Sequence, residues 1–190
     1  MRVLFLTNLL PYPLDNGGKI KTYTTLSALK RGGGEVDLLC FTEAYERSNY
    51  EKELLKLCST VTEKYQKLTT AQNKKYMIGM AIKSMFSSLP LSTYKFISKD
   101  MKAELAGKRN EHYDLIYYDH LPLFVYYTVC KKLWPDAVHL LDEHNCEATI
   151  MRRNAENTSN LFKKAFMLWE AFKVRRFESQ SIKRSDITFV

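Results

Sequence analysis

Arg2-Val3-Leu4-Phe5-Leu6-Thr7 and Glu35-Val36-Asp37-Leu38-Leu39-Cys40-Phe41-Thr42, with residues 19–31 between them, decide the fold. The first run is apolar throughout its middle, the pattern of a strand buried on both faces. A polar loop containing Pro11 and Pro13 follows and closes in Gly17-Gly18. Residues 19–31 place Ile20, Tyr23, Leu26 and Leu29 at three-residue steps on one face, which predicts a helix. Gly32-Gly33-Gly34 stops it. Val36, Leu38, Leu39, Cys40 and Phe41 then make a second apolar strand. A β-α-β unit this short demands a right-handed crossover and a parallel sheet.

Working outward, the same alternation continues. A short helix is expected over 49–58, a third strand over 59–65, and helices over 73–87 and 92–108, broken at Pro90. A fourth strand covers 114–118 and a helix runs over 121–133. Trp134-Pro135-Asp136 leads to a fifth strand over 138–141. A long helix is expected over 161–183, with Phe162, Phe166, Trp169 and Phe172 along one stripe, and a sixth strand over 186–190. A terminal strand with no polar tail is expected to mark a cut at a domain boundary. The architecture this implies is α/β, a single doubly wound, Rossmann-like parallel sheet with strand order near 3-2-1-4-5-6.

The composition agrees. With 190 residues, 45% apolar and 13% aromatic, the chain supports one compact domain or at most two small ones. It is too apolar for a disordered chain, and 7 Gly and 5 Pro exclude a collagen-like one. No window approaches 18 apolar residues, and the first residues lack a signal-peptide core, so a cytoplasmic globular protein is expected. Cys40, Cys58, Cys130 and Cys146 form no CxxC pair. They read as reduced, mostly buried thiols rather than zinc ligands. The net charge of +8 is uneven: between Lys64 and Lys102 stand eight lysines and one acid, Asp100. Such a stretch attracts nucleic acid, anionic lipid or phosphorylated ligands, or is simply a solvated lysine face. No helix-turn-helix, zinc or RNP pattern accompanies it, so only non-specific nucleic-acid affinity is supported.

In an open parallel sheet, ligands bind beyond the carboxyl ends of the strands at the switch point. The loops there are 8–18, 42–48, 119–122 and 142–149. Asn16, Gly17 and Gly18 lead into a helix whose free N–H groups and dipole suit a phosphate, and Lys19 and Lys21 add charge. Alternatively, the glycines only let the loop turn. GxGxxG and GxxxxGK[ST] are both absent. Asp119 and His120 follow the fourth strand; Asp142, Glu143, His144 and Asn145 follow the fifth. These imidazoles and carboxylates can orient sugar hydroxyls, move protons, bind metal, or merely cap backbone groups. A metal cluster requires a ligand geometry that sequence does not show, and no metal is expected. His112 and His139 read as structural. Lys64, Lys67, Lys74, Lys75 and Lys83 flank Tyr76-Met77-Ile78-Gly79-Met80-Ala81-Ile82, where a helix would set Met77, Ile78, Met80 and Met85 beside lysine heads. That pattern suits an interfacial helix, or methionines packed on the sheet with lysines facing water.

Residues 3–7 with Pro11-Tyr12-Pro13-Leu14-Asp15-Asn16-Gly17-Gly18-Lys19-Ile20-Lys21-Thr22-Tyr23, and then Leu141-Asp142-Glu143-His144-Asn145, Arg152-Arg153 and Phe177-Glu178, carry a resemblance. Together they resemble the N-terminal domain of glycosyltransferase family 4 enzymes with the GT-B fold, of the type associated with exopolysaccharide and capsule synthesis. The resemblance implies a retaining hexosyltransferase. It moves a sugar from a nucleotide-sugar donor to a glycan or lipid-linked acceptor, without a cofactor. It places Gly17-Gly18 near the donor phosphates, His120 as the catalytic residue near the transferred sugar, and 142–145 on the acceptor side. An anionic membrane surface and the protein's own C-terminal domain are the implied partners. The family's donor-side glutamate pair, with seven residues between, has no counterpart in a second domain here. Glu35/Glu43, Glu43/Glu51 and Glu170/Glu178 match only in spacing. The donor-binding domain therefore lies outside this stretch, and the stretch alone is expected to be inactive. The other reading of the residues is a non-catalytic sugar-phosphate-binding or subunit-docking module.

Overall fold

The computed structural model describes residues 1–43, 50–67 and 73–189. Six strands, β1 (Arg2–Thr7), β2 (Glu35–Thr42), β3 (Thr60–Tyr65), β4 (Leu115–Asp119), β5 (Val138–Asp142) and β6 (Ile187–Phe189), form one sheet. Its order is β3-β2-β1-β4-β5-β6 and every neighbouring pair is parallel. The doubly wound order expected from the sequence is the order found. Residue 190 and most of the loop at 42–48 lie outside the described residues, as does Asn49.

Alternate residues of the central strands feed two separate cores, because successive side chains in a strand point to opposite faces. Val3, Phe5, Val36, Leu38, Leu115, Tyr117 and Leu140 face Leu26 of α1 (Gly17–Arg31) and Leu54 of α2 (Tyr50–Leu54). Leu4, Leu6, Leu39, Phe41, Ile116, Tyr118 and Leu141 face the other layer. That layer holds α3 (Lys74–Met85), α4 (Leu91–Tyr94), α5 (Lys99–Gly107), α6 (Tyr127–Leu133), α7 (Glu147–Glu156) and α8 (Leu161–Arg184). Crossovers of one hand put helices on one face while the chain runs outward one way, and on the other face once it reverses. The reversal falls between β1 and β4. On the α1 side it leaves β4 to β6 without a helix among the described residues. An apolar cavity of about 680 Å³ sits there, lined by Ala28, Leu29, Leu115, Tyr117, Leu140 and Phe189.

Several helices depart from expectation. Residues 92–108 form two helices, α4 and α5, because Ser98 caps a new N-terminus by accepting from the Met101 N–H. The start of 121–133 is a 3-10 segment, Leu121–Tyr126, with Pro122 in its first turn. Helix α7 has no counterpart in the sequence reading; Ala155 is its one buried residue. In α1, Thr22 and Leu26 turn inward while Ile20 is exposed. In α8 the aromatic stripe is not the core face. Glu170, Lys173, Val174 and Ser181 are buried, whereas Phe162, Trp169 and Phe172 lie outside. A buried ion pair explains the rotation. Lys173 pairs with Glu170 and donates to the carbonyl of Ser84, and Glu170 accepts from the Leu91 N–H. Helix α3 half-buries Met77 and Met80 and exposes Ile78, Ile82 and Met85. Cys40, Cys58 and Cys130 are buried free thiols and Cys146 is an exposed one.

Candidate functional site

The parallel register builds the site. Thr7 of β1 lies beside Asp119 of β4, which lies beside Asp142 of β5, so one polar residue ends each strand at the same level. The N-terminus of α1 stands over this row. Asp119 is fully buried and saturated. Thr7 and Thr22 hydroxyls each donate to its Oδ2 at 2.7 Å, and His144 Nε2 lies 2.7 Å from its Oδ1. A carboxylate only accepts, so His144 carries its proton on Nε2. Burial opposes ionisation of Asp119, but the His144 and Thr22 hydrogen bonds outweigh it and hold its carboxyl below the usual range.

His120 follows directly, with φ of 86°, a backbone region that a non-glycine residue enters only at a cost of about 1–3 kcal/mol. Two backbone hydrogen bonds hold it: its N–H donates to the Asp142 carbonyl at 3.0 Å and its carbonyl accepts from Leu123 at 3.1 Å. The strain brings its ring to 3.6 Å, centroid to centroid, from His144. Burial pushes the His120 pKa down to about 4, so the imidazole is neutral near pH 7. Its Nδ1 is buried without a hydrogen-bond partner. A neutral ring beside a helix N-terminus, with its Nε2 facing Gly18, is placed to bind or move a proton on a ligand hydroxyl.

Asp142 accepts from Lys21 Nζ at 2.7 Å and from the Tyr117 hydroxyl at 2.6 Å. Burial and Asp142 both push the Tyr117 pKa up, so its hydroxyl stays a donor. Asn16 caps α1 by accepting from the Lys19 N–H at 3.0 Å. Gly17 and Gly18 have ordinary φ, and a Cβ at Gly18 would meet only ordinary contacts, 3.4 Å from Asn16 Oδ1 and 4.0 Å from His120 Nε2. The fold itself does not require glycine here; what the small residues leave is open space over free N–H groups.

Of the residues singled out in the sequence, Asn16, Gly17, Gly18, Lys21, Asp119, His120, Asp142 and His144 come together. Lys19 turns to Asp15 at 2.9 Å and lines a separate groove with Tyr12 and Phe41. Glu143 is 3% exposed and sets its carboxyl against Glu178 of α8, away from the other candidates. Asn145 is exposed at the loop tip. Thr7, Thr22 and Tyr117 are additions: only the strand register and the turn from Gly18 to Thr22 bring them to the carboxylates. His139 is buried against Tyr118, as a structural residue should be, and His112 is exposed beside Asp114. Ligand atoms of Asp119, His120 and His144 lie within 4.8 Å of one another, close enough to hold a cation. A cation there would have to displace the His144 proton from Asp119.

Fold and site together define a doubly wound α/β protein with a buried polar cluster at the switch point of its sheet. No family model matches the chain. Over 174 residues, 90% of this chain and 41% of the relative, it is 26% identical to the "Uncharacterized 44.6 kDa protein in cps region" of Klebsiella pneumoniae. Among solved structures it is similar to Phytolacca americana UGT2 complexed with UDP-2fluoro-glucose and pterostilbene, with TM-score 0.44 and 13% identity, over 84% of this chain and 35% of that one. The apo form of the same protein gives TM-score 0.42 and 14% identity, over 84% and 34%. The chain thus spans about two fifths of the curated relative and a third of the solved chains. Among the described residues no helix is long and apolar enough to cross a membrane.

Proposed function

We propose that this chain is the acceptor-side, N-terminal domain of a GT-B glycosyltransferase. In this reading the enzyme moves a sugar, with retention, from a nucleotide-sugar to a glycan or lipid-linked acceptor in surface-polysaccharide synthesis. The observation that carries it is the strained, neutral His120 held over the Asp119–His144 pair, directly beside the open N-terminus of α1. The similarity to a protein named for a cps region supports the same reading.

The residues divide the work by their chemistry. The free N–H groups at Gly17 and Gly18, at the positive end of α1, receive donor phosphate oxygens. Lys21 is already committed to Asp142 and supplies positive potential rather than a free cation. His120 contacts the transferred sugar and, being neutral, accepts or donates one hydrogen bond to a hydroxyl. Asp119 holds His144 in one tautomer, and the His144 ring supports that of His120. A second domain supplies the nucleotide site, and the protein works at the inner face of the cell membrane.

The test is sugar transfer by a form of the protein that carries the donor-binding domain. His120→Ala should lower kcat about 100-fold with an unchanged unfolding midpoint, and Gly18→Val should raise the donor KM. An unchanged rate in His120→Ala overturns the catalytic assignment. Transfer by residues 1–190 alone overturns the two-domain reading.

A further inference from the structure

Asp119, His120 and His144 each offer one ligand atom, and the three atoms lie within 4.8 Å of one another. Their finer geometry is that of a coordination shell. Asp119 Oδ1 is 2.7 Å from His144 Nε2 and 3.8 Å from His120 Nδ1. Two atoms that each sit about 2.0 Å from a tetrahedral ion stand about 3.3 Å apart, and the observed pair of distances straddles that value. Shifts of about half an ångström equalise them.

The surroundings hold these atoms in place. Thr7 and Thr22 both donate to the other carboxylate oxygen, Oδ2, which fixes the plane of the group and leaves Oδ1 to His144 alone. Supporting hydrogen bonds of this kind orient ligands in metal sites. His120 is held by its own backbone at a φ of 86°, and its Nδ1 is buried with no hydrogen-bond partner. Asp142 Oδ2 lies 3.7 Å from His144 Nε2, so two carboxylates stand against one ammonium, that of Lys21, and the fixed charge is negative. The His120 side chain is 17% exposed, against 0% for Asp119 and 8% for His144, and an ion reaches the three from that side.

We propose that Asp119 Oδ1, His120 Nδ1 and His144 Nε2 bind a divalent transition ion of the zinc class. Two imidazoles and one carboxylate select such an ion over Mg²⁺ or Ca²⁺, which take all-oxygen sets. The ion replaces the proton between His144 Nε2 and Oδ1, and the imidazole takes a proton on Nδ1 from water exchange instead. At His120 the ion occupies the orphaned nitrogen and leaves the ring's proton on Nε2. That atom faces Gly18, so the ion makes His120 a fixed donor toward the open N-terminus of α1. The sequence reading expected no metal; the site goes beyond it and does not depend on the sugar-transfer reading.

The 190-residue chain, stripped of metal with a chelator, is titrated with Co²⁺ and followed by its visible d–d bands, and Zn²⁺ is then added. One Co²⁺ per chain, displaced by Zn²⁺, is expected. His120→Gly, which relieves the backbone strain and so keeps the fold, should weaken binding at least about tenfold. In the unaltered chain, NMR should show Zn²⁺ moving the ring nitrogens of His120 and His144 and leaving those of His112 and His139 in place. Equal affinity in His120→Gly overturns the proposal, as does Mg²⁺ binding as tightly as Zn²⁺. A thiolate charge-transfer band that vanishes in Cys146→Ser assigns the ion to the exposed cysteine and also overturns it. So does the absence of binding at millimolar Co²⁺.

Discussion

At the scale of single residues, His120 trades stability for position. Its φ of 86° is one that glycine adopts freely, so His120→Gly should relieve strain and stabilise the fold by about 1 kcal/mol, while sugar transfer is lost. Urea denaturation and an activity assay on the same preparation check both halves. Glu143 offers a pH test. Its folded pKa of about 8 lies above the ordinary glutamate value, so between pH about 4.5 and 8 the folded state holds a proton that the unfolded chain releases. Stability from this group therefore falls as pH rises through that window. Glu143→Gln keeps a donor toward Glu178 at every pH and should flatten the decline. At pH 8 it should be the more stable protein, by on the order of 2 kcal/mol, measured by denaturant melts from pH 5 to 8.

At the scale of elements, α8 is oriented by charge and not by its aromatic stripe. The Glu170–Lys173 pair is almost wholly buried and ties α8 to the end of α3 and the start of α4. Removing one partner leaves the other buried and uncompensated. Lys173→Met should cost about 3 kcal/mol, and Glu170→Gln with Lys173→Met should recover most of it. Calorimetric melting of the two variants distinguishes these outcomes; equal losses would show that Lys173 matters for packing alone. The same rotation of α8 puts Arg175 and Phe172 on the groove between α7 and α8.

At the scale of the whole molecule, the surface around the end of α3 carries both apolar bulk and cations. Ile78, Ile82, Met85 and Phe86 are exposed, Phe86 to 90%, alongside Lys74, Lys75 and Lys83. Lys173 reaching Ser84 brings α8, with its exposed Trp169 and Phe172, against this end. Apolar side chains among lysines favour an anionic interface, where each cation contributes roughly 1 kcal/mol. The chain should co-sediment with vesicles of anionic lipid but not with neutral ones. Raised salt and Lys74→Glu/Lys75→Glu/Lys83→Glu should release it, and absence of binding at low salt would remove the peripheral-membrane element of the proposed function.

The sheet was legible in the sequence because its inner strands are buried on both faces, and such strands announce themselves as apolar runs: Val3 to Leu6, Leu38 to Phe41, Leu115 to Tyr118. The handedness rule then leaves few orders for six of them. Asp119, His120, Asp142 and His144 were legible for the same reason, since polar residues directly after buried strands must stand at the carboxyl edge. The sequence by itself determined that much. Only the tertiary structure decided that Thr7 and Thr22 saturate Asp119, that Lys19 turns to Asp15, and that Glu143 leaves the cluster for Glu178. Strand register and helix rotation bring together residues far apart in the chain, such as Thr22 and Asp119, and no local pattern records those pairings. The outward face of α8 belongs to the same class: its aromatic spacing marks a stripe, and the buried ion pair with Ser84 and Leu91 decides which way that stripe faces.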